Sequence, residues 1–119
     1  MILVDTSVWI DHFRSDDNAL TLLLNGCRVL MHPFVLGELA CGNLSNRAEI
    51  LKLLGALPQA STVTDSEARF FIDQHSLMGK GVGYIDVHLL ASVALDGSAV
   101  IWTRDKRLNS VAENLSMTY

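Results

Sequence analysis

Apolar and polar positions along this chain fall into blocks that alternate between strand-like runs and helix-like stripes. Met1 to Val4 is a continuous apolar run that breaks off at Asp5-Thr-Ser, the pattern of a buried strand handing its polar end to a helix start. Ser7 to Arg14 is predicted as that helix, with Trp9, Ile10 and Phe13 on its apolar face, and Ala19 to Leu24 as a second, stopped by Gly26. Val29 to His32 predicts the next strand. Pro33 then stands where a first-turn proline is tolerated, opening a helix from Phe34 to Cys41 that closes at Gly42.

Ser45 is a candidate cap for a further helix through Leu57, striped by Ile50, Leu51, Leu53, Leu54 and Leu57 and ended by Pro58. Ala60 to Val63 is a short strand candidate. Thr64-Asp-Ser-Glu67 has capping-box spacing and starts a helix to about Leu77. After the turn Gly79-Lys-Gly-Val-Gly83 comes an apolar helix from Tyr84 to Leu95, ended by Asp96-Gly97. Ala99 to Thr103 predicts a strand, Lys106 to Asn114 an amphipathic helix, and Met117 to Tyr119 at most a short edge strand.

Strands alternating with helices across short turns predict an α/β fold with a parallel sheet covered by helices. Sites in such sheets form beyond the carboxyl ends of the strands. With 119 residues, half of them hydrophobic, the chain is expected to be one domain over 1–119 with a real core. No apolar run approaches the ~18 residues of a membrane span, and the start lacks a signal peptide's basic and apolar regions, so a cytoplasmic protein is expected. Cys27 and Cys41 form no CxxC pair and are expected to be buried, reduced thiols.

Four acids stand out against this frame. Asp5 and Asp105 follow predicted strands and so lie at the carboxyl edge, although either could simply cap the helix after it. Glu38 has Phe34, Val35, Cys41 and Gly42 one turn away, a face without a basic partner, and Asp86 has Val82, Gly83, Leu89 and Leu90. Burying an unpaired carboxylate costs several kcal/mol, so two helical acids on apolar faces are harder to dismiss than the two strand-end ones. Like charges about 4 Å apart repel by roughly 4 kcal/mol in an intermediate dielectric, a problem that a hard cation removes. All-oxygen ligation favours Mg²⁺ or Mn²⁺ over zinc.

The net charge of −4 at first argues against a nucleic-acid partner. Setting aside the four candidate acids leaves nine others, equal to the nine Lys and Arg, so the excess coincides with the site itself. Lys80, Arg104, Lys106 and Arg107 flank it in sequence and are candidates to meet phosphates, with solvated charges the plainer alternative. His12, His32, His75 and His88 form no catalytic arrangement; His88 is expected in a core or surface role. Gly79 to Gly83 lacks Walker spacing and reads as an ordinary turn.

In order, the segments Met-Ile-Leu-Val-Asp5-Thr-Ser-Val-Trp-Ile, His32-Pro-Phe-Val-Leu-Gly-Glu38-Leu-Ala, Gly81-Val-Gly-Tyr-Ile-Asp86-Val-His-Leu-Leu-Ala-Ser and Ile101-Trp-Thr-Arg-Asp105-Lys-Arg-Leu resemble the PIN-domain ribonucleases, most closely the VapC toxins of toxin-antitoxin pairs. The resemblance implies a PIN-like αβα sandwich whose central, mainly parallel sheet has four to five strands flanked by helices. It implies an endoribonuclease toxin that cleaves RNA with metal-activated water under Mg²⁺ or Mn²⁺. It also implies a homodimer and a hetero-oligomer with a VapB-like antitoxin.

The family's acidic site maps to Asp5, Glu38, Asp86 and Asp105, with the first, third and fourth holding metal and Glu38 assisting. Thr6, Ser7 and Thr103 are candidate hydroxyl supports. Two alternatives remain: a PIN-like module that binds RNA or regulates without catalysis, and a phosphoacceptor signalling domain suggested by Asp5, Thr103 and Lys106. The latter expects its acids on strand ends, whereas two of these four fall on helices.

Overall fold

Three strands and seven helices make up the computed structural model, which describes all residues 1–119. The strands are β1 (Ile2–Val4), β2 (Val29–Leu30) and β3 (Val100–Trp102). The helices are α1 (Thr6–Arg14), α2 (Asn18–Asn25), α3 (Pro33–Ala40), α4 (Arg47–Gly55), α5 (Asp65–His75), α6 (Tyr84–Asp96) and α7 (Lys106–Asn114).

β1 is central, parallel to both neighbours in the order β2-β1-β3, with Leu3 opposite Leu30 on one side and Ile101 on the other. All three β1 residues are buried, which explains the unbroken apolar run: a strand covered on both faces has no polar side to alternate with. Each edge is extended by one parallel bridge, Met31 to Gln59 and Ile101 to Thr118. The sheet thus has three strands, fewer than the four to five expected: Ala60 to Val63 forms none, the pairing falling on Gln59 just after Pro58, and Met117 to Tyr119 pairs only at Thr118.

A single cluster of buried residues runs through the sheet and its helical layers, including Trp9, Leu20, Met31, Leu89, Leu90 and Leu108. α6 contributes most continuously, with every residue from Val87 to Val93 buried. A helical segment buried around its whole girth is largely apolar on every side, here with only His88 and Ser92 polar, which is why its hydrophobic pattern lacks a stripe.

Local chemistry sets most boundaries. The Thr64 box forms as expected, Thr64 Oγ1 accepting from Glu67 N–H at 3.2 Å and Glu67 Oε1 accepting from Thr64 N–H at 2.9 Å. Ser45, in contrast, does not cap α4: the helix starts one residue later, after Asn46 in the left-handed region (φ 52°), with no side-chain cap. Arg47 turns back instead, donating from Nε and Nη2 to the carbonyl of Ala40 at 3.2 and 2.7 Å and closing the end of α3.

The cysteines also differ from expectation, since both are free and exposed. Cys27 occupies a left-handed turn position (φ 55°) between α2 and β2, and Cys41 caps the carboxyl end of α3, so neither faces the core. No helix is long and apolar enough to cross a membrane.

Replacing Leu3, fully buried in the central strand, by Ala is expected to lower the unfolding free energy by about 2–5 kcal/mol in urea denaturation. Leu53→Ala, at a side chain 59% exposed, should change it by less than about 0.5 kcal/mol. Equal effects at the two positions would contradict the placement of the core.

Candidate functional site

Asp5 ends β1 at the carboxyl edge, where its N–H donates to the carbonyl of Trp102 at 2.9 Å. It is the N-cap residue of α1, yet its side chain makes no capping bond. The carboxylate is 7% exposed. Its Oδ2 accepts instead from Thr103 Oγ1 at 2.7 Å and from Ser7 Oγ at 2.8 Å. Those two hydroxyls also receive the chain leaving β3: Arg104 N–H donates to Ser7 Oγ and Asp105 N–H to Thr103 Oγ1, each at 3.0 Å. Ser7 and Thr103 therefore fix Asp5 and the turn bearing Asp105 with the same oxygens.

Asp105 is a cap as well as a candidate ligand. Its Oδ1 accepts from the N–H groups of Arg107 and Leu108 at 2.9 and 3.0 Å, satisfying the amino end of α7. Glu38, on α3, accepts at Oε1 from Thr6 Oγ1 at 2.7 Å, which ties α3 to the first residue of α1. Glu38 is exposed rather than buried, because its outward face of α3 borders grooves, so desolvation is not what singles it out. Asp86, one turn into α6, accepts at Oδ2 from Gly83 N–H at 3.1 Å.

One rule covers all four. In each carboxylate a single oxygen receives every protein hydrogen bond and the other receives none. The free oxygens are Oδ1 of Asp5, Oε2 of Glu38, Oδ1 of Asp86 and Oδ2 of Asp105. None of them is a sealed, unsatisfied buried atom.

The charges act on one another at Asp86. Burial pushes its carboxyl above the ordinary range, the Gly83 amide pulls it down, and the negative charges of Asp5, Asp105 and Glu38 push it up again. Three acids raising a fourth requires that they share its surroundings. No three of them close into a ready ligand set. All-oxygen donors with one free oxygen each nevertheless suit a hard divalent cation, and would suit zinc poorly.

His32 and Gly83 are supports that the sequence reading passed over. His32 is buried at the amino end of α3, where Nδ1 accepts from Phe34 N–H at 3.0 Å and so holds the helix that carries Glu38. Burial, aided by the charge of His88, lowers its pKa to about 4, so the ring is neutral in this role. Gly83 stands three residues before Asp86, the same interval as Thr64 to Glu67, and that spacing was the available signal.

His88 is a core residue as expected, 3% exposed between the rings of Phe34 and Tyr84, with Nε2 3.3 Å from Asp65 Oδ1. Among the flanking cations, Arg104 is withdrawn from any phosphate. Its guanidinium pairs with Asp11 at 2.9 Å and with Asp17, and it lies over the Trp102 ring at 5.8 Å.

Because folded Asp86 keeps its proton to higher pH than the unfolded chain does, stability falls as pH rises from the unfolded value to the raised one. With chelator present, Asp86→Asn is expected to melt above the unaltered protein at about pH 8, the gap closing toward about pH 4. Thermal melts at both ends check this, and a gap independent of pH would contradict it.

The PIN domain family model matches residues 2–114. Two curated relatives, both called ribonuclease VapC32 and belonging to the CDC 1551 and H37Rv strains of Mycobacterium tuberculosis, are each 47% identical over 110 residues, covering 92% of this chain and 89% of theirs. The chain belongs to the PIN-domain family.

Proposed function

We propose that this chain is the ribonuclease toxin of a toxin-antitoxin pair, a single PIN domain that cleaves RNA internally with Mg²⁺ or Mn²⁺ held by Asp5, Asp86 and Asp105 and assisted by Glu38. The observation that carries this reading is that hydrogen bonds gather the acids: Ser7 and Thr103 bind both Asp5 and the turn bearing Asp105 with the same oxygens, and Thr6, next to Asp5, holds Glu38. Asp86 carries the influence of the other three charges, and each of the four keeps one oxygen free of protein hydrogen bonds that a cation could take. The similarity to the ribonucleases VapC32 supports the substrate class and the pairing with a VapB-like antitoxin. In that setting the protein works in the cytoplasm, as a homodimer and as a hetero-oligomer with its antitoxin. Exposed Phe34, Phe70, Tyr84 and Ile85 supply apolar surface for such contacts.

The reaction needs no nucleophilic side chain. When bound, the cation supplies an activated water and charge neutralisation at the cleaved phosphodiester. The protein does the positioning. Ser7 and Thr103 hold Asp5 by Oδ2, leaving Oδ1 as the oxygen that would ligate a cation, and the amides at the start of α7 hold Asp105 through Oδ1, leaving its Oδ2. Thr6 holds Glu38 at the rim, and Gly83 restrains Asp86. A bound cation would compete with the proton on Asp86, whose pKa is raised, so metal affinity should fall as pH is lowered.

RNA incubated with Mg²⁺ or Mn²⁺ is expected to be cut by the unaltered protein, while Asp5→Asn and Asp86→Asn lose more than about 100-fold, the upper end of what outer supports cost. Equal cleavage by all three would overturn the assignment. Thr103→Val, which removes one of two hydroxyls from Asp5, should cost about 10–100-fold in activity or metal affinity, read by metal titration of the rate.

A further inference from the structure

Arg107 lies across the Gly79–Gly83 turn. A β-carbon placed on Gly81 would stand 2.6 Å from Arg107 Cδ and 3.1 Å from both Nε and Nη1, so the guanidinium stem packs directly on the glycine backbone. Gly81 also has φ +81°, a left-handed conformation that suits glycine and adds a second reason for its identity. Arg107 therefore joins two segments of the site: its backbone N–H donates to Asp105 Oδ1, and the turn beneath its side chain leads through Gly83 to Asp86.

Arg107 is exposed, and its guanidinium has neither an ion pair nor a hydrogen bond within the protein. Four carboxylates cluster at the same edge. An unrestrained arginine there would fold onto one of them, as Arg104 does onto Asp11 and Asp17. Packing on Gly81 instead holds the guanidinium on the turn that leads to Asp86, unpaired with any carboxylate. The fork of N–H donors is left open toward solvent, a geometry that matches phosphate bidentately.

We propose that Arg107 is a substrate-positioning residue that grips a backbone phosphate of the RNA strand next to the one being cut, with Gly81 as the platform that aims it. The inference rests on the ribonuclease reading above. It would give a chain of net charge −4 one positive contact close to its acidic site, where a polyanion must approach.

Binding of a fluorescent single-stranded RNA is measured by anisotropy between about 50 and 200 mM salt in an Asp5→Asn background that stops cleavage. Cleavage is measured in the otherwise unaltered protein. Arg107→Gln is expected to weaken binding and to reduce the slope of log affinity against log salt by about 0.7, one single-strand phosphate contact. Arg107→Lys should keep the slope, because its charge remains, but bind less tightly because it lacks the fork.

In cleavage assays the Arg107→Gln loss should fall on KM more than on kcat. Arg28→Gln, at the opposite end of the sheet before β2, should change neither measurement. If the unaltered protein cuts RNA and Arg107→Gln matches it in salt slope and KM, the phosphate grip is overturned while the ribonuclease reading stands. If the unaltered protein neither binds nor cuts RNA, both fall together.

Discussion

The carboxylate of Asp5 is the constraint on which the rest of the structure turns. It sits buried at the end of the central strand, beside three other acids, and it declines the capping role its position offers. A charge in that place is tolerable only if hydrogen bonds hold it and something from outside completes it. Ser7 and Thr103 provide the first condition from the two segments that follow β1 and β3. Their hydroxyls bind the backbone of Arg104 and Asp105 at the same time, so the carboxyl edge of the sheet is organised around this one charge.

The same logic explains why capping and ligation need not compete. Asp105 gives one oxygen to the amides of α7 and keeps the other, and Asp86 does the same with the amide of Gly83. Each helix start is satisfied by an acid that would be repelled by its neighbours were it free to move. Folding free energy from the caps therefore helps to hold together charges that oppose folding. That opposition is visible in the raised pKa of Asp86, and it is the part of the balance that a cation reverses.

The helices were legible in the sequence nearly to the residue, because their signals are local: the Thr64 box, Pro33 at a first turn, Gly26 and Gly97 at helix ends. Of the edge strands, Ala60 to Val63 did not form and Met117 to Tyr119 shrank to a single bridge, since whether a short segment pairs depends on neighbours that local pattern does not contain. The four acids were found, but their relative standing was not. Sequence spacing made Glu38 look buried and Asp5 look like a cap; the structure exposes Glu38 and buries Asp5 without capping. Helical spacing names a residue's neighbours on its own helix, whereas burial is decided by what packs on top.

A tally of charges was the other place where sequence reasoning could say only that acids outnumber bases by four. Charge near a site acts through its position and freedom, not through its sum. Arg104 and Arg107 stand three residues apart on either side of Asp105 and are indistinguishable by spacing. One is spent on two aspartates and an indole face; the other is propped on a glycine with its donors open. Gly81 makes that difference, for a side chain there would collide with the arginine and the turn would lose its left-handed residue. What looked like an ordinary glycine-rich turn is thereby coupled to the acidic edge, since the segment that restrains Asp86 also sets where the Arg107 guanidinium can point.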